Sequence, residues 1–167
     1  MHAEQALHDY VVARRTALFR SAILLCGDRD EADDLVQSTL LKVILGWRRL
    51  DRIESVDGYA RKTLVNTFIA SRRRFWRREQ AFGDLPESPG PMHDADTAVA
   101  VRAALAALRP KQRAVLVLRY WEDLSVADTA DLLGMPESTV RSHTARGLAA
   151  LRGLVPPDVR ELQGDPR

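Results

Sequence analysis

Cysteine is nearly absent from this chain of 167 residues, with Cys26 the only one. No intramolecular disulfide and no multi-thiolate zinc site can form. Set in the apolar run Ile23-Leu24-Leu25-Cys26, it reads as a small buried hydrophobe. The histidines at 2, 8, 93 and 143 lack metal-ligand spacing. The acidic group Asp28, Asp30, Glu31, Asp33 and Asp34 lacks the glycine and distal glutamate of a calcium loop. Acids favoured by the dipole at a helix start account for it better. No metal or cofactor is therefore expected. There is no GxSxG nucleophile motif and no glycine-rich phosphate loop. With no catalytic constellation, the chain is not expected to be an enzyme.

Long apolar runs are also missing, which argues against membrane insertion. The N-terminal stretch MHAEQALHDYVVARR is polar, without the apolar core or cleavage site of a secretory signal. A cytoplasmic location is the expectation. Strict two-residue alternation is absent, so no strand is expected, and there is no internal repeat.

What is present is an uneven charge distribution. The formal net charge is only +2. Residues 1–80 nevertheless hold 15 Lys/Arg against 11 Asp/Glu, and residues 102–155 hold eight against five. Residues 81–101 between them hold four acids and no base. Two basic blocks around an acidic connector suggest a polyanionic partner.

Apolar periodicity at helical spacing recurs along most of the chain. Leu7, Tyr10, Val11, Leu18, Ala22 and Leu25 predict a helix over residues 4–25. Gly27 breaks it, and Asp28 or Asp30 can cap the next, expected over residues 31–49. Its inward positions are Leu35, Val36, Leu40, Val43, Ile44 and Trp47. After a connector over residues 50–56, a third helix is expected over 57–79, with Tyr59, Leu64, Phe68 and Phe75 or Trp76 inward. Residues 81–97, AFGDLPESPGPMHDADT, hold three prolines, two glycines and four acids and read as a linker. Helical spacing resumes at Ala98, with Pro110 marking the start of a further helix over residues 114–120. The tail 156–167 holds three prolines and should fray. The expected fold is all-α: two small helical domains, 1–80 and 98–155, joined by a flexible acidic linker at 81–97.

Two segments carry functional chemistry. In residues 125–151, Val126, Ala130 and Leu133 share one face of a short helix. Gly134 supplies a tight turn, and Pro136 suits the first turn of a second helix. Val140, Leu148 and Leu151 would face inward, with Ala145 or Thr144. Glu137, Ser138, Arg141, Ser142, His143 and Arg146 are left outside. A second helix with short polar and basic residues outward is what the DNA major groove accepts, so this is a helix-turn-helix.

The other segment is the third helix. Arg61, Lys62, Arg72, Arg73, Arg74, Arg77 and Arg78 fall within residues 61–78 without an intervening acid. Tyr59, Phe68, Phe75 and Trp76 are interleaved with them. Cations bind phosphates and aromatics stack on unpaired bases. Asn66 lies between them, with one amide donor group and one acceptor for a base edge. Phe68 also reads as core.

Taken in order, three blocks resemble the RNA polymerase sigma factors of the extracytoplasmic-function group, with the SigE-like actinobacterial subgroup the best fit. DEADDLVQSTLLKVILGW, residues 30–47, is similar to the family's core-binding helix. GYARKTLVNTFIASRRR, residues 58–74, resembles the helix that melts and reads the −10 element. Residues 105–152 resemble region 4, which reads the −35 element; LRYWEDLSVADTADLLGMPESTVRSHTARGLAALR follows that pattern nearly end to end. The resemblance spans about residues 13–154.

It implies a dissociable specificity subunit of core RNA polymerase that directs promoter-specific initiation. Asp34, Gln37, Ser38, Leu41 and Lys42 match positions that dock on the β′ clamp helices; region 4 implies the β flap as a second contact. Leu41 lies off the inward stripe, and an exposed leucine ringed by polar groups suits an interface. Asn66 matches the asparagine of a −10 base pocket. Tyr59 stands where tryptophan is frequent, and Arg61 and Lys62 would hold phosphates, with Arg72, Arg73 and Arg74 extending the basic face. Residues 51–56 take the place of the base-specificity loop. The acidic linker would thread the active-site cleft and RNA exit channel. Arg141, Ser142 and Arg146 match positions facing the −35 element, with Ser138 and Thr139 suited to phosphates at the helix start. His143 belongs to the same face but departs from a frequent arginine. An anti-sigma partner is common in the family.

Two other classes stay open at this level: a stand-alone helix-turn-helix regulator that binds duplex DNA as a dimer, and an adaptor that holds a protein partner. The first leaves the basic aromatic helix and the acidic linker without a role.

Overall fold

The computed structural model describes residues 1–50, 53–82 and 97–154, except the side chains of residues 53–54, 75–82 and 97. The linker from 83 to 96, residues 51–52 and the tail from 155 lie outside the described residues, as do the side chains of Phe75, Trp76, Arg77 and Arg78. All described secondary structure is helical, and the chain divides into two compact units, Met1–Phe75 and Trp76–Arg167.

The first unit is built on α1 (His2–Cys26), α2 (Arg29–Gly46) and α3 (Ile53–Phe82), with a 3₁₀ turn Trp47–Arg49 after α2. Gly27 ends α1 with φ 71°, its N–H donating to the Ile23 carbonyl at 2.9 Å. Asp28 then caps α2, its carboxylate accepting from the Glu31 N–H at 2.9 Å. Ala22, Leu25, Leu35, Val36, Leu40, Val43, Leu64 and Phe68 are buried, as the spacing predicts. Each large side chain so buried contributes roughly 1.5–3 kcal/mol. Tyr10, Val43, Val56 and Ala60 form a second cluster with Leu18, Trp47 and Leu50 packed on it.

Polar ties fix the registers of these helices. Tyr10 Oη donates to Asp57 Oδ1 at 3.0 Å, and Arg14 pairs with Asp57 Oδ2 at 2.7 Å. Burial, then the Asp57 carboxylate, raises the Tyr10 pKa far above the phenol's usual 10.0, so it stays a donor. Buried Thr39 satisfies its hydroxyl by donating to the Leu35 carbonyl at 2.8 Å.

The structure corrects the sequence reading in three places here. α3 begins at Ile53, so Ile53, Glu54, Ser55 and Val56 are helical and Val56 is core. Residues 53–56 of the expected connector 50–56 and loop 51–56 are therefore helical, and residues 51–52 lie outside the described residues. Ile44 is exposed, because Val43 takes the inward place beside it. Tyr59 is exposed rather than inward.

The second unit contains α4 (Thr97–Ala106), α5 (Pro110–Leu116), α6 (Val126–Leu133) and α7 (Glu137–Leu154). Pro110 opens α5 behind an extended Arg109. Arg113 is buried and donates to the carbonyls of Ala106 at 3.1 Å and Leu108 at 3.0 Å, closing the α4–α5 turn. α5 widens into a π-helical turn, Val117–Trp121, in which the Glu122 N–H reaches the Val117 carbonyl at 3.0 Å. Asp123 follows with φ 56°. Ser125 caps α6 by accepting from the Asp128 N–H at 3.0 Å. Gly134, at φ 62°, turns the chain with Gly134 N–H on Asp131 and Met135 N–H on Ala130. That pairing is a Schellman closure, and Met135 supplies the apolar contact that goes with it. Pro136 stands one residue ahead of α7 rather than inside it, its carbonyl accepting from Thr139 and Val140. Val115, Ala130 and Val140 make the core under Val126, Leu133 and Met135.

Candidate nucleic-acid interface

Three exposed helical stripes carry most of the residues that the sequence singles out. On α3 the stripe is Tyr59, Lys62, Asn66 and Arg73, at steps of three, four and seven. All four are exposed. The Tyr59 ring lies over Gly46, within 3.6–3.7 Å of where a Cβ would stand. That leaves part of the ring available for stacking. The cations are not equivalent. Arg61 is half-buried and its charge acts on Tyr10. Arg72 is turned toward α1 and α2. Its Nη2 donates to Glu31 Oε2 at 2.7 Å and to the Cys26 carbonyl at 3.2 Å, and its guanidinium lies 5.5 Å from the Phe68 ring centre. Arg73 and Arg74 are exposed. Arg74 lines a groove of about 300 Å³ with Arg72, Glu31, Asp34, Ser38 and Thr67. Phe68 is buried and serves the core.

On α2, Asp34, Gln37, Ser38 and Leu41 share one exposed stripe, and Lys42 is exposed beside it. Leu41 is 56% exposed, and Leu45, one turn on, is 76% exposed. With Ile44 they form an apolar patch beside polar groups. Sequence reasoning missed Leu45, although the 34-38-41-45 spacing carries it onto the same stripe. Lys42 Nζ donates to Thr67 Oγ1 at 3.0 Å, so it also braces α2 against α3.

On α7, Ser138, Arg141, Ser142 and Arg146 are exposed. Thr139 is half-buried in the first turn. Arg141 pairs with Glu137 at 3.3 Å, but both are exposed, and such an i,i+4 pair is worth only about 0.3–0.5 kcal/mol. The guanidinium can therefore leave it for a base edge. Of the two small residues left as alternatives, Thr144 turns inward, donating to the Val140 carbonyl at 2.8 Å, while Ala145 is exposed. His143 is half-buried, not fully outward as read from the sequence. Burial, then Lys111 and Arg146, lower its pKa below the usual 6.5. Among the described residues no group of acids, histidines and Cys26 could hold a metal ion, and no helix is long and apolar enough to cross a membrane.

The chain itself matches known proteins over both units. The family profile for Sigma-70 region 2 matches residues 10–78, and that for Sigma-70, region 4 matches residues 98–151. The RNA polymerase sigma-E factor of Streptomyces coelicolor is 41% identical over 152 residues, 86% of this chain and 82% of that protein. This chain belongs to the sigma-70 family. Within it, the chain falls in the extracytoplasmic-function group. The ECF RNA polymerase sigma factor SigM of Mycobacterium tuberculosis is 33% identical over 143 residues, 83% of this chain and 71% of that protein. The solved sigma factor RpoE of Bartonella quintana, in complex with the anti-sigma factor NepR, superposes with a TM-score of 0.75 at 25% identity, covering 90% of this chain and 96% of that one. A sigma factor serves transcription initiation, and the all-α fold with a helix-turn-helix is that of this family.

Proposed function

We propose that this sigma factor divides promoter recognition among its three stripes. The α2 stripe, Asp34, Gln37, Ser38, Leu41 and Lys42 with Leu45, docks on the β′ clamp helices of core RNA polymerase. The α3 stripe takes the melted −10 element: Asn66 reads an extruded base, Tyr59 stacks on it, and Lys62 and Arg73 hold phosphates. Arg61, Arg72 and Arg74 add positive potential at shorter range. In α7, Arg141 reads a base edge of the −35 duplex, Ser142 and Arg146 flank it, and Ser138 and Thr139 bind phosphate at the helix start. The domains are residues 1–80 and 98–155; of the expected linker 81–97, residues 81–82 and 97 belong to the ends of α3 and α4, and the acidic remainder threads the polymerase channel. The protein works by binding, without chemistry of its own, in the cytoplasm. An anti-sigma factor, such as the solved relative carries, is a partner of the free state, and the β flap is a contact of region 4.

The observation that carries this reading is that Asn66 shares an exposed stripe of α3 with Tyr59 and Lys62, whereas Val56, Ala60, Leu64 and Phe68 of the same helix are buried. The test compares two templates, one duplex and one with a pre-melted −10 bubble. Arg141→Ala should weaken −35 capture by roughly 1–3 kcal/mol if it reads guanine, and largely spare opening of the bubble template. Asn66→Ala should leave −35 capture intact and impair base capture. Permanganate reactivity and filter binding read the two steps. Equal losses from both changes on both templates would sink the division.

A further inference from the structure

α5 and α7 approach closely at one glycine. A Cβ on Gly147 would lie 2.9 Å from Leu116 Cδ1 and 3.1 Å from its Cγ. The bare backbone there is what lets the two helices meet. Lys111 and His143 lie upstream of that contact on α5 and α7. Lys111 precedes Leu116 by five residues on α5, and His143 precedes Gly147 by four on α7. Lys111 is exposed, His143 half-buried and Arg146 exposed. His143 Nδ1 is enclosed and has no hydrogen-bond partner among the described residues. The charges that act on the imidazole are Lys111 from α5 and Arg146 from α7, both cations. Basic groups from two helices thus gather beside the stripe that carries Arg141 and Ser142.

We propose that Lys111, His143 and Arg146 form a seat for one backbone phosphate of the duplex that α7 reads. The inference rests on the reading of α7 as the −35 reader and adds a residue from outside the helix-turn-helix. A phosphate would relieve the mutual repulsion of the cluster and release a counterion. It fixes register and orientation and carries no sequence information. Lys111 is in this sense a positioning residue for Arg141. The seat also couples binding to a proton. In the free protein the imidazole is neutral near pH 7, since burial and its two cationic neighbours hold it below the usual 6.5. An anion beside it favours the charged form. Binding then takes up a proton, and affinity weakens as pH rises through the range of the bound imidazole.

The test uses holoenzyme assembled from the full chain and core polymerase, on a promoter mapped from the 5′ ends of transcripts it directs. Lys111→Ala should weaken binding to duplex carrying the −35 element without changing which −35 bases are preferred. Its plot of log affinity against log salt should be shallower by about 0.9, so between 50 and 200 mM salt the variant loses roughly threefold less affinity than the parent. Lys111→Arg should restore the parent slope. His143→Gln should flatten the dependence of affinity on pH between 6 and 8. Lys111 is exposed, so an unchanged circular dichroism spectrum is expected. An unchanged salt slope in Lys111→Ala overturns the seat. So does a loss that appears in core binding rather than on DNA, which would make Lys111 a protein contact. If Arg141→Ala is also silent on −35 capture, the reading of α7 falls with it; if Arg141→Ala is damaging and Lys111→Ala silent, the seat alone falls.

Discussion

Arg72 and Arg73 are neighbours in the chain and stand in different surroundings. Arg72 spans α3, α2 and the end of α1 through Glu31, the Cys26 carbonyl and the Phe68 ring. Arg73 faces solvent on the stripe of Asn66. Replacing Arg72 by alanine removes a charge-assisted bond and a carbonyl bond from a partly buried site. The loss should be about 1–2 kcal/mol, discounted because Glu31 is half-exposed. Arg73→Ala should leave stability within about 0.5 kcal/mol and instead weaken binding to single-stranded −10 DNA. Urea unfolding and salt-dependent binding of a −10 oligonucleotide to holoenzyme separate the two. Equal stability losses would put both arginines in the fold. In the sequence the run Arg72-Arg73-Arg74 looks uniform, and nothing in it marks Arg72 as structural. Its acid partner is Glu31, 41 residues away, so only the packing of α3 on α2 distinguishes it.

At the scale of elements, the helices were legible because their apolar faces repeat at helical spacing and their ends carry chemistry. Asp28 caps through its carboxylate, and Gly134 closes α6 because, lacking a side chain, it takes a positive φ. The extra turn of α3 was less legible. Val56, Ala60, Leu64 and Phe68 step by four along the core, but Asp57-Gly58 reads locally as a break. Packing of Val56 against Tyr10, Val43 and Ala60 overrides that signal. The π-helical turn had no legible signature, since it arises from a shift in hydrogen-bond register. It leaves Tyr120 and Trp121 exposed side by side.

The α5–α7 contact gives a sharp packing test. Gly147→Ala gains up to about 1 kcal/mol of helix propensity but forces a methyl against buried Leu116. Overpacking of that kind costs about 1–3 kcal/mol, so the net should be a loss of about 1 kcal/mol in the second unit. Gly153→Ala, with open space around it, should be neutral or slightly stabilising. Thermal unfolding followed by circular dichroism decides, and a stabilised Gly147→Ala would show that the helices do not meet there. On α2 the expected outcome is functional. Leu41→Glu combined with Leu45→Glu places charges in an exposed patch, leaving the fold intact while weakening capture of a β′ clamp fragment at least tenfold. Normal capture would remove both leucines from the interface. Lys42 is spared in that pair because its bond to Thr67 ties α2 to α3.

At the scale of the whole molecule, the formal charge of +2 hides two basic units around an acidic connector. The two helical units each carry an exposed polar and basic stripe, which we propose faces DNA, and α2 carries a third surface of mixed apolar and polar groups. A dimeric repressor would use the helix-turn-helix alone and leave the α2 and α3 stripes without work. Under the proposed function all of them have work, once core polymerase brings both units to one promoter. The most direct measurement is transcription from a mixed pool of promoter templates by core polymerase, with and without the purified chain, alongside footprinting of the same DNA by the chain alone. The predicted result is initiation confined to promoters sharing one −35 and −10 pair, dependent on the chain, with no stable duplex footprint in the absence of core. A dimer that protects a palindromic site without core, and adds no promoter-specific initiation with it, would contradict that assignment.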